Sequence, residues 1–252
     1  MSAILQTRIP YDVTARPRLP GIKPLAVEDW LIRDEAFAGQ MAYRDRLLAE
    51  RRDAVLAMDA DARPAADELL QMVLELAYPG AGAMVERPDG ISVPIDRADP
   101  MGTLGRLVQE DLCLLEKRGE EHVLTAAVLC FPASWMLSEK FQRPLTAIHV
   151  PVEEYDAGIA ARVQRLFDGV QPGRPLWRFN ALWYADPDLH QPRSAFDRRP
   201  ERGRLAARYL RSERQTVLRL PETRAVVFSI HTYVVDRADA PAGSDGLERV
   251  ES

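Results

Sequence analysis

The second half of the chain pairs apolar, strand-length segments across short polar turns, and this pattern restricts the fold more than any other feature. Asp111–Glu116 and His122–Phe131 flank a charged turn. Arg214–Leu220 and Ala225–Val235 flank the turn Pro221-Glu222-Thr223. Strands joined by such short turns run antiparallel. The pattern therefore favours an antiparallel sheet over the alternating strand–helix units of a parallel one.

The first half has helical periodicity instead. Apolar residues recur at near-helical spacing from Leu31 through Met58 and again over Ala65–Ala77. Val85–Ile95 reads as two short strands about a turn, and Trp177–Tyr184 as a single strand. One further amphipathic helix is predicted over Tyr155–Val170. The predicted class is α+β, an antiparallel sheet with covering helices and an N-terminal helical extension.

Domain boundaries follow from proline and from apolar content. Four prolines within residues 1–25 predict an extended arm laid over the surface. Residues 26–235 hold the apolar segments and are expected to form one domain. Residues 236–252 contain few apolar side chains, so they are predicted to be a disordered tail.

Charge and cysteine content exclude several classes of partner. With 33 basic and 38 acidic residues the net charge is −5, which gives no general attraction to nucleic acid or to an anionic membrane. No run reaches the roughly 18 apolar residues of a membrane span. Two cysteines cannot form a disulfide framework for a chain of 252 residues. The first residues do not have the pattern of a signal peptide. A cytoplasmic protein is expected.

Most common catalytic signatures are missing from the sequence. None of the four histidines is four residues from another, and there is no His-Glu-x-x-His stretch, nucleophile elbow, Walker loop or dinucleotide fingerprint. A protein that binds a prosthetic group needs fewer residues in a recognisable pattern. Haem needs one protein ligand, an apolar slot and donors for two propionates.

His149 is the histidine in the most constrained local setting. It lies in Ala147–Val152, where Pro151 forbids a helix and favours extended backbone before it. An imidazole held this way is either an iron ligand or a hydrogen-bonded core residue, and its position alone does not decide between them.

Several stretches of the chain resemble the haem-dependent oxidative N-demethylase family. They occur in the same order from about residue 20 to 235, and they are Gly21-Ile22-Lys23-Pro24-Leu25 with Asp29-Trp30-Leu31, Gln109-Glu110-Asp111-Leu112-Cys113-Leu114-Leu115, Phe131-Pro132-Ala133-Ser134-Trp135, Glu139-Lys140, Arg143-Pro144-Leu145, Ile148-His149-Val150-Pro151-Val152, and Arg211-Ser212-Glu213-Arg214-Gln215-Thr216 with Leu220-Pro221. Colinear blocks are more specific than any single motif.

The resemblance implies a PAS-like, haem-binding fold and an oxidative activity. It assigns the iron-ligand role to His149, with haem b as the cofactor. The expected reaction uses O2 to remove a methyl group from a small, dimethylamine-like secondary or tertiary amine and releases formaldehyde. Electrons are expected from NAD(P)H through a partner flavin and iron–sulfur reductase subunit, and oligomerisation is possible.

Polar residues on predicted strands are the candidates for binding haem or substrate. Arg178 and Asn180 lie two apart and so share one face of a strand, where they could hold a propionate or the amine. Relatives carry Arg-x-Asn-Trp here, whereas this chain has Ala181 after the asparagine and its tryptophan at Trp183. Trp135 is a candidate wall for the macrocycle, although an ordinary core aromatic fits equally.

Further candidates lie on the last two strands. Glu213 is a catalytic candidate and Arg214 a cofactor-binding one; strand alternation puts them on opposite faces, and a buried Arg–Glu structural pair is the alternative. His231 is a candidate for the distal side of the iron, with a surface-strand histidine as its alternative. Cys130 is the rival iron ligand, although a buried inert thiol is the usual finding at such a position. Glu153 and Glu154 could accept the second imidazole N–H of His149, or could be helix N-terminal carboxylates.

Two other functions are compatible with the same residues. One is a haem-binding sensor or gas-binding module without catalysis, and the other is a haemless relative in which His149 is a core residue. The chain carries no recognisable output domain, which weighs against the sensor.

Overall fold

A seven-stranded antiparallel sheet forms the centre of the molecule, as the hairpin pattern predicts. The computed structural model describes residues 3–15, 21–148, 157–194, 197 and 207–247, with only the backbone for residues 157–161. The strands are β1 (Lys23–Pro24), β2 (Leu56–Met58), β3 (Met84–Glu86), β4 (Ser92–Pro94), β5 (Asp111–Arg118), β6 (Glu121–Val128), β7 (Leu176–Tyr184), β8 (Tyr209–Arg219) and β9 (Val226–Asp236). The helices are α1 (Phe37–Glu50), α2 (Arg52–Val55), α3 (Arg63–Ala77), α4 (Pro100–Gly105), α5 (Leu137–Lys140), α6 (Leu145–Ile148) and α7 (Ala157–Gly169). This mixture of helix and antiparallel sheet confirms the α+β class.

The sheet order is β1-β7-β8-β9-β5-β6-β2, and every pairing is antiparallel. The β5–β6 hairpin therefore lies on one side and the β8–β9 hairpin at the centre. Between β6 and β7 the chain crosses to the other side of the sheet through the region that contains α5, α6 and α7. β3 and β4 form a separate two-stranded hairpin, as predicted for Val85–Ile95.

The sheet has two faces that carry different coverings. The N-terminal face, defined by Leu112, Leu218 and Val227, packs against residues of α1, α3 and α4. The crossover face, defined by Cys113, Val217 and Ile230, packs against residues of α5, α6 and α7. Because side chains alternate along a strand, each side chain of β7, β8 and β9 points either to the N-terminal face or to the crossover face.

Residues 3–15 of the N-terminal arm lie on the N-terminal face, whereas Lys23–Pro24 is the edge strand β1. Ile9 and Val13 are buried with Leu210 and Tyr233. The backbone N–H of Gln6 donates to the carbonyl of Val234 at 2.9 Å. The arm is thus held by both apolar contact and hydrogen bonds.

Several boundaries differ from the sequence-based prediction, and in two segments the type of structure differs as well. The helix expected to run through Met58 ends earlier, because Leu56–Met58 pairs with Ala126, Ala127 and Val128 as a sheet strand. In the tail predicted to be disordered, the described residues 236–247 pack against the rest of the chain: Ser244 is buried, and its carbonyl accepts the indole N–H of Trp183 at 2.9 Å. In both cases a long-range contact outweighs local composition.

A buried ion pair joins the sheet to α1. Asp111 Oδ1 lies 2.6 Å from Arg44 Nη1, and both side chains are almost completely excluded from solvent. The two carboxylate oxygens of Asp111 also accept the backbone N–H groups of Cys130 and Phe131. Asp111 therefore anchors the loop that leaves β6.

No helix in the described ranges is both long enough and apolar enough to cross a membrane.

Candidate functional site

Four polar side chains meet on the crossover face. Arg178 and Asn180 on β7 pair with Gln215 and Glu213 on β8, and cross-strand partners share a face. We call these four residues the polar patch. Towards Val217 and Ile230 the same face is apolar, so the polar patch borders a hydrophobic surface.

Glu213 is the fixed carboxylate of the polar patch. Its Oε2 accepts the amide of Asn180 at 2.9 Å and that of Gln215 at 3.3 Å. Asn180 Oδ1 accepts the backbone N–H of Glu213 in return, at 3.1 Å. The buried Arg–Glu pair that the sequence offered as the alternative is present, because Glu213 Oε1 lies 3.7 Å from Arg211 Nη2 and both side chains are buried. The carboxylate is thereby held in one orientation.

Arg178 is the cation of the polar patch, and its guanidinium has no hydrogen-bond partner among the described residues. Burial lowers the pKa of its guanidinium, and the charge of Glu213 offsets only part of that effect. A partly desolvated guanidinium gains most from an anionic acceptor, and its planar fork matches a carboxylate.

Two more donors beside the polar patch lack partners in the described part of the chain. They are Arg211 Nε and Thr232 Oγ1, both buried. Arg211 is two residues before Glu213 on the same face of β8, and Thr232 pairs with Glu213 across β8 and β9. A buried donor without an acceptor is costly. These two donors therefore mark the surroundings of Glu213 as a candidate site for an acceptor group.

An apolar wall borders the patch. Trp135, Ile148, Val163, Leu166 and Phe228 are partly buried and pack against the crossover-face cluster. β7 is half-buried along its whole length, including the side chains of the patch. Apolar contact together with unpaired donors is what a porphyrin and its propionates require, so these residues fit a haem.

His149, the predicted iron ligand, lies outside the described residues, as do Glu153 and Glu154. The description stops at Ile148 and resumes at residue 157. Ile148 and the α7 residues Val163 and Leu166 all pack on the crossover face. The ligand role of His149 stays a prediction.

The structure does not bring His231 and Arg214 to the polar patch. Both lie on the N-terminal face, where they pair with each other across β8 and β9. Arg214 donates to the carbonyls of Asp29 and Trp30, at 2.8 and 3.2 Å. The sheet itself separates these two side chains from Glu213.

His231 belongs to a buried network with two carboxylates. Its Nε2 lies 3.0 Å from Asp34 Oδ2 and its Nδ1 lies 3.1 Å from Glu110 Oε1. The alternative of a surface position is wrong, since His231 is 1% exposed. Burial opposes the imidazolium, but the two carboxylates prevail and raise the pKa of His231 to about 9. The same contact, against the opposing effect of burial, lowers the pKa of Asp34 to about 2.

These shifts predict a stability plateau in weak acid. The pKa of His231 is higher in the folded chain than its ordinary 6.5, so its contribution is complete below pH 6.5 and is lost as the pH rises through about 9. Asp34 contributes above its ordinary 3.8 and loses that contribution as the pH falls towards 2. Urea unfolding from pH 5 to 9.5 should show a decline of about 3 kcal/mol from the histidine. His231→Gln should flatten this alkaline decline, and an unchanged slope in that variant would refute the assignment.

Cys130, the rival iron ligand, is not at the polar patch. It is completely buried within the core cluster of the N-terminal face. Burial raises the pKa of its thiol to about 12, even though Arg44 acts in the opposite direction. A thiol in this setting is inert. Within the described ranges no group of three or more His, Cys, Asp or Glu side chains is arranged to hold a metal ion.

The aromatic residues Trp177, Phe179 and Trp183 of β7 lie on the opposite face of the sheet from the polar patch. On the N-terminal face, Phe179 and Trp183 pack with the arm cluster, and Trp177 contacts Tyr11 edge to face. Trp135 packs against the crossover-face cluster, and its role as a wall of the macrocycle stays a prediction.

The sequence analysis included Arg211 in a family block without giving it a role, and it did not identify Thr232. Strand alternation from Glu213 could have identified Arg211, whereas Thr232 required the β8–β9 register.

A known family model covers most of the chain. Residues 21–244 match the model of a family described as haem-dependent oxidative N-demethylase, alpha subunit-like. The matched range includes the polar patch, the apolar wall and the segment that contains His149.

Proposed function

The chain belongs to the haem-dependent oxidative N-demethylase, alpha subunit-like family, and on that premise we propose that it is the haem-binding subunit of a monooxygenase that demethylates a small secondary or tertiary amine. The observation that carries the proposal is the polar patch beside an apolar wall on the face that also bears Ile148. A fixed carboxylate and an unpaired guanidinium there suit a cationic substrate and an anionic cofactor edge.

Each residue is given one role in this proposal. His149 is the iron ligand, on the strength of its place in the Ile148–Val152 motif. Arg178 binds a propionate, and Trp135 packs against the macrocycle. Haem, when bound, supplies the activation of dioxygen that this chain cannot provide by itself.

Glu213 would hold the amine. A small alkylamine is protonated at neutral pH, and a carboxylate fixed by Asn180 and Gln215 offers it a charge-assisted hydrogen bond. The remaining wall is apolar, so it would exclude water and orient the methyl group. His231 and Arg214 are assigned structural roles, because they lie on the other face of the sheet.

The proposal includes partners and a fold family. Electrons would come from NAD(P)H through a reductase subunit with flavin and iron–sulfur centres, and the family description as an alpha subunit supports a multi-subunit assembly. A PAS-like sheet is supported by the connectivity: a hairpin, a helical crossover to the far side, and a second hairpin that fills the gap. The cytoplasmic location stays a prediction.

Two measurements on the purified protein test the function. After expression with haem supplied, a Soret band is expected in the visible spectrum, with shifts on reduction. Formaldehyde release from dimethylamine with a surrogate electron donor should then follow. Haem binding without release from dimethylamine or other small methylamines would favour a sensor, and the absence of any haem would contradict both functions.

Replacing Arg178 with methionine should weaken haem binding without unfolding the chain. Loss of a charge-assisted hydrogen bond costs about 1.5–3 kcal/mol, which corresponds to roughly 10- to 150-fold in affinity. Haem titration of the apoprotein measures the effect. Arg174→Met is the matched control, because Arg174 is exposed on the turn before β7; equal affinities in the two variants would remove Arg178 from the site.

A further inference from the structure

Lys140, at the end of α5, is a buried lysine with a specific backbone contact. Its side chain is largely withdrawn from solvent, and residue exposure is 8%. Its Nζ donates to the backbone carbonyl of Ile148. Burial lowers the pKa of this ammonium group, which shows that the position is unfavourable for a charge. Lysine is rarely buried without a specific interaction, and here that interaction is the hydrogen bond to the Ile148 carbonyl.

The turn between α5 and α6 is fastened to β6. Gln142 N–H donates to the carbonyl of Leu124 at 2.9 Å, and Leu124 N–H donates to the carbonyl of Arg143 at 3.1 Å. Gln142 has a φ of 59°, a left-handed conformation that is uncommon for a residue other than glycine. These tertiary bonds hold the start of α6 in register with the sheet.

α6 itself is a single turn, and a helix this short has no stability of its own. Ile148 N–H closes the turn on the carbonyl of Pro144 at 3.0 Å. The carbonyl groups at the end of a helix have no partner within the helix and carry partial negative charge. The ammonium of Lys140 supplies the missing donor to the carbonyl of Ile148, the last residue of α6.

The Ile148 carbonyl belongs to the peptide unit that links α6 to residue 149. A peptide unit is planar, so a hydrogen bond to its oxygen restricts the plane in which the chain leaves the helix. We propose that Lys140 is a positioning residue, which presents His149 to the haem by fixing this peptide unit. The inference rests on the proposed function for the ligand role of His149.

The test compares three variants of the full chain. Lys140→Met keeps the apolar stem and removes the donor, Lys140→Arg keeps a cationic donor, and Lys117→Met removes a positive charge that is exposed and paired with Asp168. The measurements are haem transfer to apomyoglobin, the Soret spectrum, and hydrogen exchange of amides 145–148 in the haem-free protein. If Lys140→Met does not fold, Lys140→Gln takes its place.

Lys140→Met should release haem at least about tenfold faster, as is typical when a group that orients a metal ligand is lost. Its spectrum should change, and its amides at 145–148 should exchange faster even without haem. Lys140→Arg should recover most of the slow release, and Lys117→Met should match the wild type. Wild-type release, spectrum and exchange in Lys140→Met would overturn the inference.

The outcomes also separate this inference from the proposed function. If the wild-type chain takes up haem through His149 but Lys140→Met is unchanged, only the positioning role fails. If the wild-type chain takes up no haem, the proposed function fails and so does the presentation of His149, whatever the exchange of amides 145–148 shows about α6.

Discussion

His149→Ala is expected to purify without a Soret band, while its far-ultraviolet circular dichroism remains that of the wild type. In the proposed site the imidazole is the only protein ligand to the iron, so the apolar wall and Arg178 would have to hold the haem without it. Loss of a group that merely orients a ligand costs about 10- to 100-fold in metal affinity, and loss of the ligand itself should cost more than about 100-fold. Haem titration of the apoprotein gives this number directly.

His122→Ala is the matched control for this prediction. His122 also lies towards α7: its Nδ1 is 2.9 Å from Gln164 Nε2, and its Nε2 is buried without a partner among the described residues. It is therefore the described histidine best placed to act as a rival ligand. The control should retain haem. Loss of haem in His122→Ala with retention in His149→Ala would assign the ligand role to His122. An unchanged spectrum in both variants would show that neither histidine binds the iron.

Asp111→Ala should cost about 3–5 kcal/mol of unfolding free energy, a large share of the 5–15 kcal/mol typical of a domain. The replacement leaves the Arg44 guanidinium buried without its carboxylate. It also removes the acceptor of the Cys130 and Phe131 N–H groups, which lie 2.7 and 2.8 Å from the carboxylate. Urea unfolding followed by circular dichroism measures the loss.

Asp67→Ala provides the comparison for an exposed ion pair. Arg63 and Asp67 are 2.8 Å apart on α3, yet both side chains are about two-fifths exposed, and such pairs contribute little. The control should lose less than about 1 kcal/mol. Arg44→Met combined with Asp111→Leu should recover part of the loss, because it removes the unpaired buried charge. Similar costs for Asp111→Ala and Asp67→Ala would contradict the role given to the buried pair.

Much of the fold was accessible from periodicity. The predicted helix Ala65–Ala77 is Arg63–Ala77 in the structure, and the predicted strand Ala225–Val235 is Val226–Asp236. Both succeed because half-burial on a sheet or helix face leaves a repeating apolar pattern in the sequence. Leu56–Met58 and Ser244 lack such a pattern, since a sheet-edge pairing and a single indole hydrogen bond determine their conformation.

The candidate site was also predictable from the sequence only in part. Alternation along β8 correctly predicted that Glu213 and Arg214 face opposite sides, because side chains on a strand have a period of two. It could not predict that Arg214 shares its side with His231 while Glu213 shares its side with Thr232. A shift of one residue between β8 and β9 would exchange these partners.

The amino-acid sequence alone established the α+β class and the family blocks, among them the motif around His149, because these depend on local order along the chain. Only the folded structure decided which polar side chains meet on the crossover face and which are buried behind it. That choice depends on the register between strands distant in sequence, which is determined by packing of the whole sheet rather than by any one segment.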